Sequence, residues 1–154
     1  MWFRRDLRLA DHPALSAAAA SGRPVIPVFI LDPETEGLGA APKWRLGLGL
    51  EHFSKRLEGK GSRMVFRRGP ALDVLRAVIE ETGAGSVFWS RLYDSNAVSR
   101  DTEVKAALKA DGVEARSFGG HLLFEPWTVE TKDGGFYRVY SPFWRAVETR
   151  DVDV

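Results

Sequence analysis

Apolar and polar positions alternate along this chain in short blocks whose period changes from one block to the next. Met1, Trp2 and Phe3 read as the tail of a buried strand, and Arg4, Arg5, Asp6 and Arg8 then crowd into a charged turn. Residues 11–21 are alanine-rich and predict a helix, with Asp11 as N-cap, Pro13 near the first helical position and Gly22 as the stop. Residues 23–31 (RPVIPVFIL) are almost continuously apolar, as a strand buried on both faces would be, with Pro24 at its start. A Pro/Gly-rich loop over 32–42 leads to a helix over 43–58, where Trp44, Leu48, Leu50, Phe53 and Leu57 fall near helical spacing.

The alternation continues with a strand at 62–67 and a helix at 70–82, whose Leu72, Leu75, Val78 and Ile79 share a face. A strand at 86–90, a polar loop, a helix at 96–110 and a strand at 113–118 complete the series. Strands and helices in strict alternation predict an α/β fold, a doubly wound, Rossmann-like parallel sheet of five strands spanning residues 1–120. Residues 121–154 change style. They show no helical period, and Asp133-Gly134-Gly135 predicts a hairpin turn between TVETK and FYRVY. This segment reads as a C-terminal hairpin and linker extension.

The opening strand has three residues before the charges begin, whereas a strand usually needs about five. A first strand truncated at its N-terminus is the expectation. The balance of 22 Lys+Arg against 21 Asp+Glu does not describe a dedicated nucleic-acid binder. Without cysteine there are no disulfides, thiolate metal sites or thiol nucleophile. No apolar run approaches the roughly 20 residues of a membrane span, and no secretory pattern opens the chain, so a cytoplasmic location without membrane contact is expected.

Nucleotide fingerprints are missing. There is neither a G-x-G-x-x-G after the first strand nor a G-x-x-x-x-G-K-[ST], and no serine sits in a nucleophile elbow. His12, His52 and His121 lack ligand spacing, so no metal site is expected. Glu80-Glu81 reads as a solvated helix surface. The chemistry that remains lies at strand exits, where open parallel sheets bind ligands. The Arg4-Arg5-Asp6-x-Arg8 turn is either a salt-bridged rim or a contact for an anion or a partner domain. Asp32 caps a turn or lines a slot, and Trp44 is core or slot wall. Asn96, ahead of Arg100-Asp101, is a helix N-cap or a ligand contact. An apolar slot with a few polar groups suits a flat conjugated ring.

The motifs also carry a resemblance. WFRRDLRLADHPAL resembles the opening of the DNA photolyase and cryptochrome family. FILDP followed by Lys43-Trp44-Arg45, and YRVYSPFWRA at 137–146, resemble two later family segments, in the same order. The resemblance implies the antenna-binding domain of a deoxyribodipyrimidine photolyase, a carbon-carbon lyase that uses light and FAD to repair cyclobutane pyrimidine dimers in DNA. It implies that Phe29, Asp32, Trp44, Arg45, Tyr93 and Asn96 enclose an antenna chromophore, while Arg4, Arg5, Asp6 and Arg8 face a second domain. That domain, helical and FAD-binding, would be the partner through which damaged DNA is met, and these residues alone would hold no catalytic group. Folate-antenna members resemble one another in an Asn-Glu pair where this chain has Asn96-Ala97. The departure favours a flavin or 8-hydroxy-5-deazaflavin over methenyltetrahydrofolate. A cryptochrome-type blue-light photoreceptor and a stand-alone nucleotide- or flavin-binding module are the alternatives.

Overall fold

Trp2 and Phe3, the whole of strand β1 (Trp2–Phe3), point to opposite faces of the sheet and each anchors a separate core. The computed structural model describes residues 1–152. Trp2 packs with Val28 and Ile30 of β2 (Val28–Leu31), with Val87 and Trp89 of β4 (Ser86–Ser90), and with apolar residues of two helices. Those helices are α4 (Ala71–Thr82) and α5 (Ser95–Ala110). Phe3 packs on the other face with Phe29, Phe53, Leu57 and Met64, joined by Leu15 of α1 (Pro13–Ala20) and Leu46 and Leu50 of α3 (Ala40–Glu58). Helices thus cover both faces, as the doubly wound expectation requires.

The single five-stranded sheet is corrected. β1, β2 and β3 (Val65–Arg68) form a three-stranded parallel sheet in the order β1-β2-β3, while β4 and β5 (Glu114–Phe118) form a separate parallel pair. β1 spends its two residues pairing with β2, and no ladder joins it to β4 among the described residues. Side chains close the seam to β4 instead. The Trp2 and Trp89 rings lie 5.9 Å apart, and the Arg4 guanidinium donates to the Ser90 carbonyl. The spatial succession is β3-β2-β1, seam, β4-β5, so the chain reverses direction of winding at the seam.

Several local expectations shift for physical reasons. β2 pairs only from Val28, after Pro24 and Pro27, because proline has no N–H for a ladder. His12, not Asp11, caps α1: its Nδ1 accepts from the Leu15 N–H at 3.3 Å, and Asp11 sits at a φ of 48°. Within the expected loop, Pro33–Glu36 forms a short helix, α2, capped by Asp32. The buried stripe of α3 runs through Leu46, Leu50, Phe53 and Leu57; Trp44 and Leu48 face solvent.

The hairpin over the extension is also corrected. The turn itself forms, with Gly134 N–H donating to Thr131 O, but no ladder flanks it among the described residues. A single 3-10 turn (Pro126–Thr128) and a helix, α6 (Tyr140–Val147), take its place. Pro142 falls in the first turn of α6, where its missing N–H costs nothing. No helix among the described residues is long and apolar enough to cross a membrane.

Candidate functional site

The cleft that opens at the seam is built from strand exits. β1 leads into Arg4 and Arg5, β2 contributes Phe29 and is followed by Asp32, and the segment after β4 brings Leu92 and Asp94. Asn96, Ala97 and Arg100 on the first turns of α5 face the same space, and Leu46 of α3 closes it. The cavity measures about 470 Å³. Its place, beyond the carboxyl ends of parallel strands where the winding reverses, is where open α/β sheets bind ligands.

A chain of charges runs beneath the cleft. Arg4 Nη1 lies 2.6 Å from Asp101 Oδ2, Arg100 Nη2 lies 2.8 Å from Asp101 Oδ1, and Arg100 Nη1 lies 2.6 Å from Asp32 Oδ2. Both guanidinium groups sit over the Trp2 ring, at 4.6 Å and 5.1 Å. Burial pushes the Arg4 guanidinium below its usual range, with Asp101 pulling the other way. For Arg100, burial also lowers, but Asp101, Asp32 and Glu34 outweigh it and the guanidinium is held above its usual range. Arginine keeps its charge in either case. The Asp32 carboxylate is fixed twice over, since it also accepts from the Thr35 N–H at 2.9 Å.

Below the charged turn lies a second buried pair. His12 Nε2 is 2.9 Å from Asp6 Oδ2, and both side chains are shut off from solvent. Burial would raise the Asp6 carboxyl, but His12 and the Arg4 N–H, which donates at 2.8 Å, outweigh that and hold it well below the usual carboxylate range. This pair shapes the turn and does not reach the cleft.

The structure gathers some expected site residues and separates others. Phe29, Asp32 and Asn96 line the cleft, together with Arg4 and Arg5. Asn96 is not the N-cap of α5; Asp94 holds that position. Trp44 is 69% exposed on the outer face of α3, and Arg45 beside it is exposed too; neither lines the cleft. Tyr93 turns away, donating its hydroxyl to Glu125 Oε2 at 2.9 Å. Arg4 and Asp6 are buried within the chain, Arg5 is exposed and pairs with Asp94 at 3.0 Å, and Arg8 donates to the carbonyls of Asp11 and Gly120.

Leu46 and Glu34 also line the cleft and lie outside the sequence expectation, whereas Ala97, named there as the position without an acid, lines it as well. A signal for Ala97 was present, since positions 96, 97 and 100 share one face of a helix start. Leu46 became a wall only because the buried stripe of α3 is rotated from its expected place. Glu34 and Asp94 put carboxylates at the rim, so the absence of an acid at position 97 does not leave the cleft without one.

Chemically, the cleft offers apolar surface from Phe29, Leu46 and Leu92 beside the cations Arg5 and Arg100. No group of three His, Cys, Asp or Glu side chains among the described residues suits a metal ion. With Arg5 already paired to Asp94 and Arg100 to Asp32 and Asp101, such a lining fits a flat ring with polar edges, and the volume lies within the roughly 300–1,000 Å³ common for ligand sites.

Known proteins share this architecture. A deoxyribodipyrimidine photo-lyase of Agrobacterium fabrum is 48% identical over 151 residues, which cover 98% of this chain and 32% of that protein. The crystal structure of a bacterial class III photolyase from Agrobacterium tumefaciens superposes with a TM-score of 0.93 at 49% identity, covering 97% of this chain and 31% of that one. An archaeal photolyase from Sulfolobus tokodaii, described with two FAD molecules and an implied novel light-harvesting cofactor, superposes with a TM-score of 0.76 at 27% identity. The match to it covers 99% of this chain and 35% of that one. The chain therefore spans about a third of the length of these relatives. The family model for DNA photolyase matches residues 1–153, and on that match, with the fold in agreement, the chain belongs to the DNA photolyase family.

Proposed function

We propose that this chain is the antenna domain of a deoxyribodipyrimidine photo-lyase, holding a light-harvesting chromophore in the cleft between β1, β2 and α5. The observation that carries the reading is the cleft itself: apolar walls from Phe29, Leu46 and Leu92 and the cations Arg5 and Arg100 converge at the switch in winding. When bound, the chromophore would supply absorption of blue or near-ultraviolet light for an FAD carried elsewhere in the full-length protein. This chain's own part is to bind and orient it and to keep water from its ring. The full-length protein would then repair cyclobutane pyrimidine dimers in DNA, with the DNA met by the FAD-binding part.

Within this reading a flavin or 8-hydroxy-5-deazaflavin comes first. Ala97 supplies no carboxylate at the folate-type position, and the archaeal relative with two FAD molecules offers a precedent. Residues 121–154 lead towards the FAD-binding part, and the exposed Arg5 and half-buried Arg8 are the members of the charged turn placed to meet it.

The test uses the full-length protein, reconstituted with FAD and each chromophore in turn, on an oligonucleotide carrying one thymine dimer. Light should restore the dimer to two thymines, and antenna absorption should appear in the action spectrum. Leu46→Trp, which fills the cleft, should remove the antenna contribution and leave repair driven by light absorbed directly by FAD. Binding of chromophore without any light-driven repair would overturn the photolyase reading in favour of a photoreceptor.

A further inference from the structure

Helix α5 stands between two cavities. Asn96, Ala97 and Arg100 face the antenna cleft, while Val98, Thr102, Lys105 and Lys109 form a stripe at helical spacing along a different face. That stripe lines a second cavity of about 440 Å³, walled by Trp89 and Arg91 at the end of β4, by Tyr93, and by Trp127 of the extension. We propose that this second cavity is a ligand site in its own right, for a planar aromatic molecule bearing a phosphate or carboxylate group.

The charges argue for the anion. Each carboxylate nearby is already engaged: Asp101 by Arg4 and Arg100, Glu125 by Arg91 at 2.6 Å and by Tyr93. Lys105 and Lys109 have no ion pair among the described residues, and Lys105 Nζ has only the Ser117 hydroxyl at 3.3 Å. Burial, with Lys109 and Arg91 adding repulsion, lowers the Lys105 ammonium from its ordinary range. Two neighbouring unpaired cations, Lys105 half-buried and Lys109 exposed, are relieved by an incoming anion, and charge-assisted hydrogen bonds to it are the stronger kind.

The aromatic part is argued by the walls. Trp127 is 58% exposed at the mouth, and Arg91 lies 5.6 Å from its ring centroid while gripping Glu125 two residues earlier. A large flat ring is thereby held in place before any ligand arrives, so little freedom is lost when another ring stacks on it. Trp89, which also packs in the core against Trp2, has a buried indole N–H without an acceptor among the described residues. Leu92 is the one residue that borders both cavities; the two lysines and the Trp127 ring on which the proposal rests lie outside the antenna cleft.

The test is isothermal titration of the full-length protein, its FAD site saturated, with two matched pairs of probes. FMN and riboflavin share a ring and differ in phosphate; folic acid and 6-methylpterin differ in the carboxylate-bearing tail. At least one anionic probe should bind about tenfold or more tightly than its neutral partner, the worth of a charge-assisted contact, and the pair that shows the gap identifies the tail. The double variant Lys105→Met, Lys109→Met should close the gap, Trp127→Ala should weaken the anionic probe, and Leu46→Trp in the antenna cleft should leave the gap intact. Equal binding within both pairs overturns the proposal, as does a gap that survives loss of both lysines. A gap abolished by Leu46→Trp also overturns it and assigns the binding to the cleft.

Discussion

Arg100 Nη1 lies 2.6 Å from Asp32 Oδ2, an ion pair between residues 68 positions apart that fastens the first turns of α5 to the exit of β2. Asp32 is 2% exposed and Arg100 13%, so the pair is largely out of water. Removing the cation strands a buried carboxylate, and Arg100→Met should cost about 3 kcal/mol in urea unfolding. Asp32→Asn keeps an oxygen for the Thr35 N–H and leaves Arg100 with Asp101 and Glu34, so it should cost less.

Asp6 carries a pH dependence. Its native pKa is depressed, so the folded state resists protonation that the unfolded chain accepts near pH ~4. The stability it contributes is complete above that value and is lost as pH falls through the native pKa. Asp6→Asn should destabilise by about 2 kcal/mol at neutral pH, and the gap between variant and wild type should shrink steadily below pH ~4. Denaturant melts at a series of pH values would show it.

Tyr93 should titrate late. Burial first, and then its hydrogen bond to Glu125, push the phenol up to about 12. Absorbance at the phenolate band should therefore show Tyr93 still protonated at pH ~11. Glu125→Ala should bring it back towards pH ~10 and, by releasing Arg91, loosen the 3-10 turn that carries Trp127.

Gly120 marks the passage into the extension, with a φ of 126° that suits glycine alone. An added Cβ would also stand 3.3 Å from both Arg8 Nη2 and Pro13 Cδ. Gly120→Ala should cost about 1–3 kcal/mol and weaken the Arg8 bond to the Gly120 carbonyl, visible in thermal melts and in faster amide exchange over 119–125.

The alternation of strands and helices was readable because each block is long enough to show its period: residues 71–82 and 86–90 lie within a residue of where periodicity puts them. The division into two sheets was not, since nothing local reveals whether a two-residue strand pairs on one edge or both. α6 was hidden because Tyr140, Phe143 and Trp144 favour strands by propensity and eight residues carry little period. In the cleft, Asp32 and Asn96 could be placed from a strand exit and a helix start, and Phe29 through the family resemblance of FILDP. Trp44 could not, because a stripe misjudged by part of a turn sends a side chain to solvent. Asp101 beside Arg100 was visible in the sequence, but its reach to Arg4 and the hold of Asp32 on Arg100 join elements brought together only by the fold.

The seam between β1 and β4 gives the sheet a built-in crease. Where other neighbouring strands share a ladder, these two are stitched by a Trp–Trp contact and by Arg4, which also borders the cleft. A molecule wedged into the cleft therefore presses on the line along which the domain is least stitched, and occupancy should be felt as mechanical stiffness. Filling the site amounts to splinting the crease, so the two half-sheets would breathe together when loaded and apart when empty.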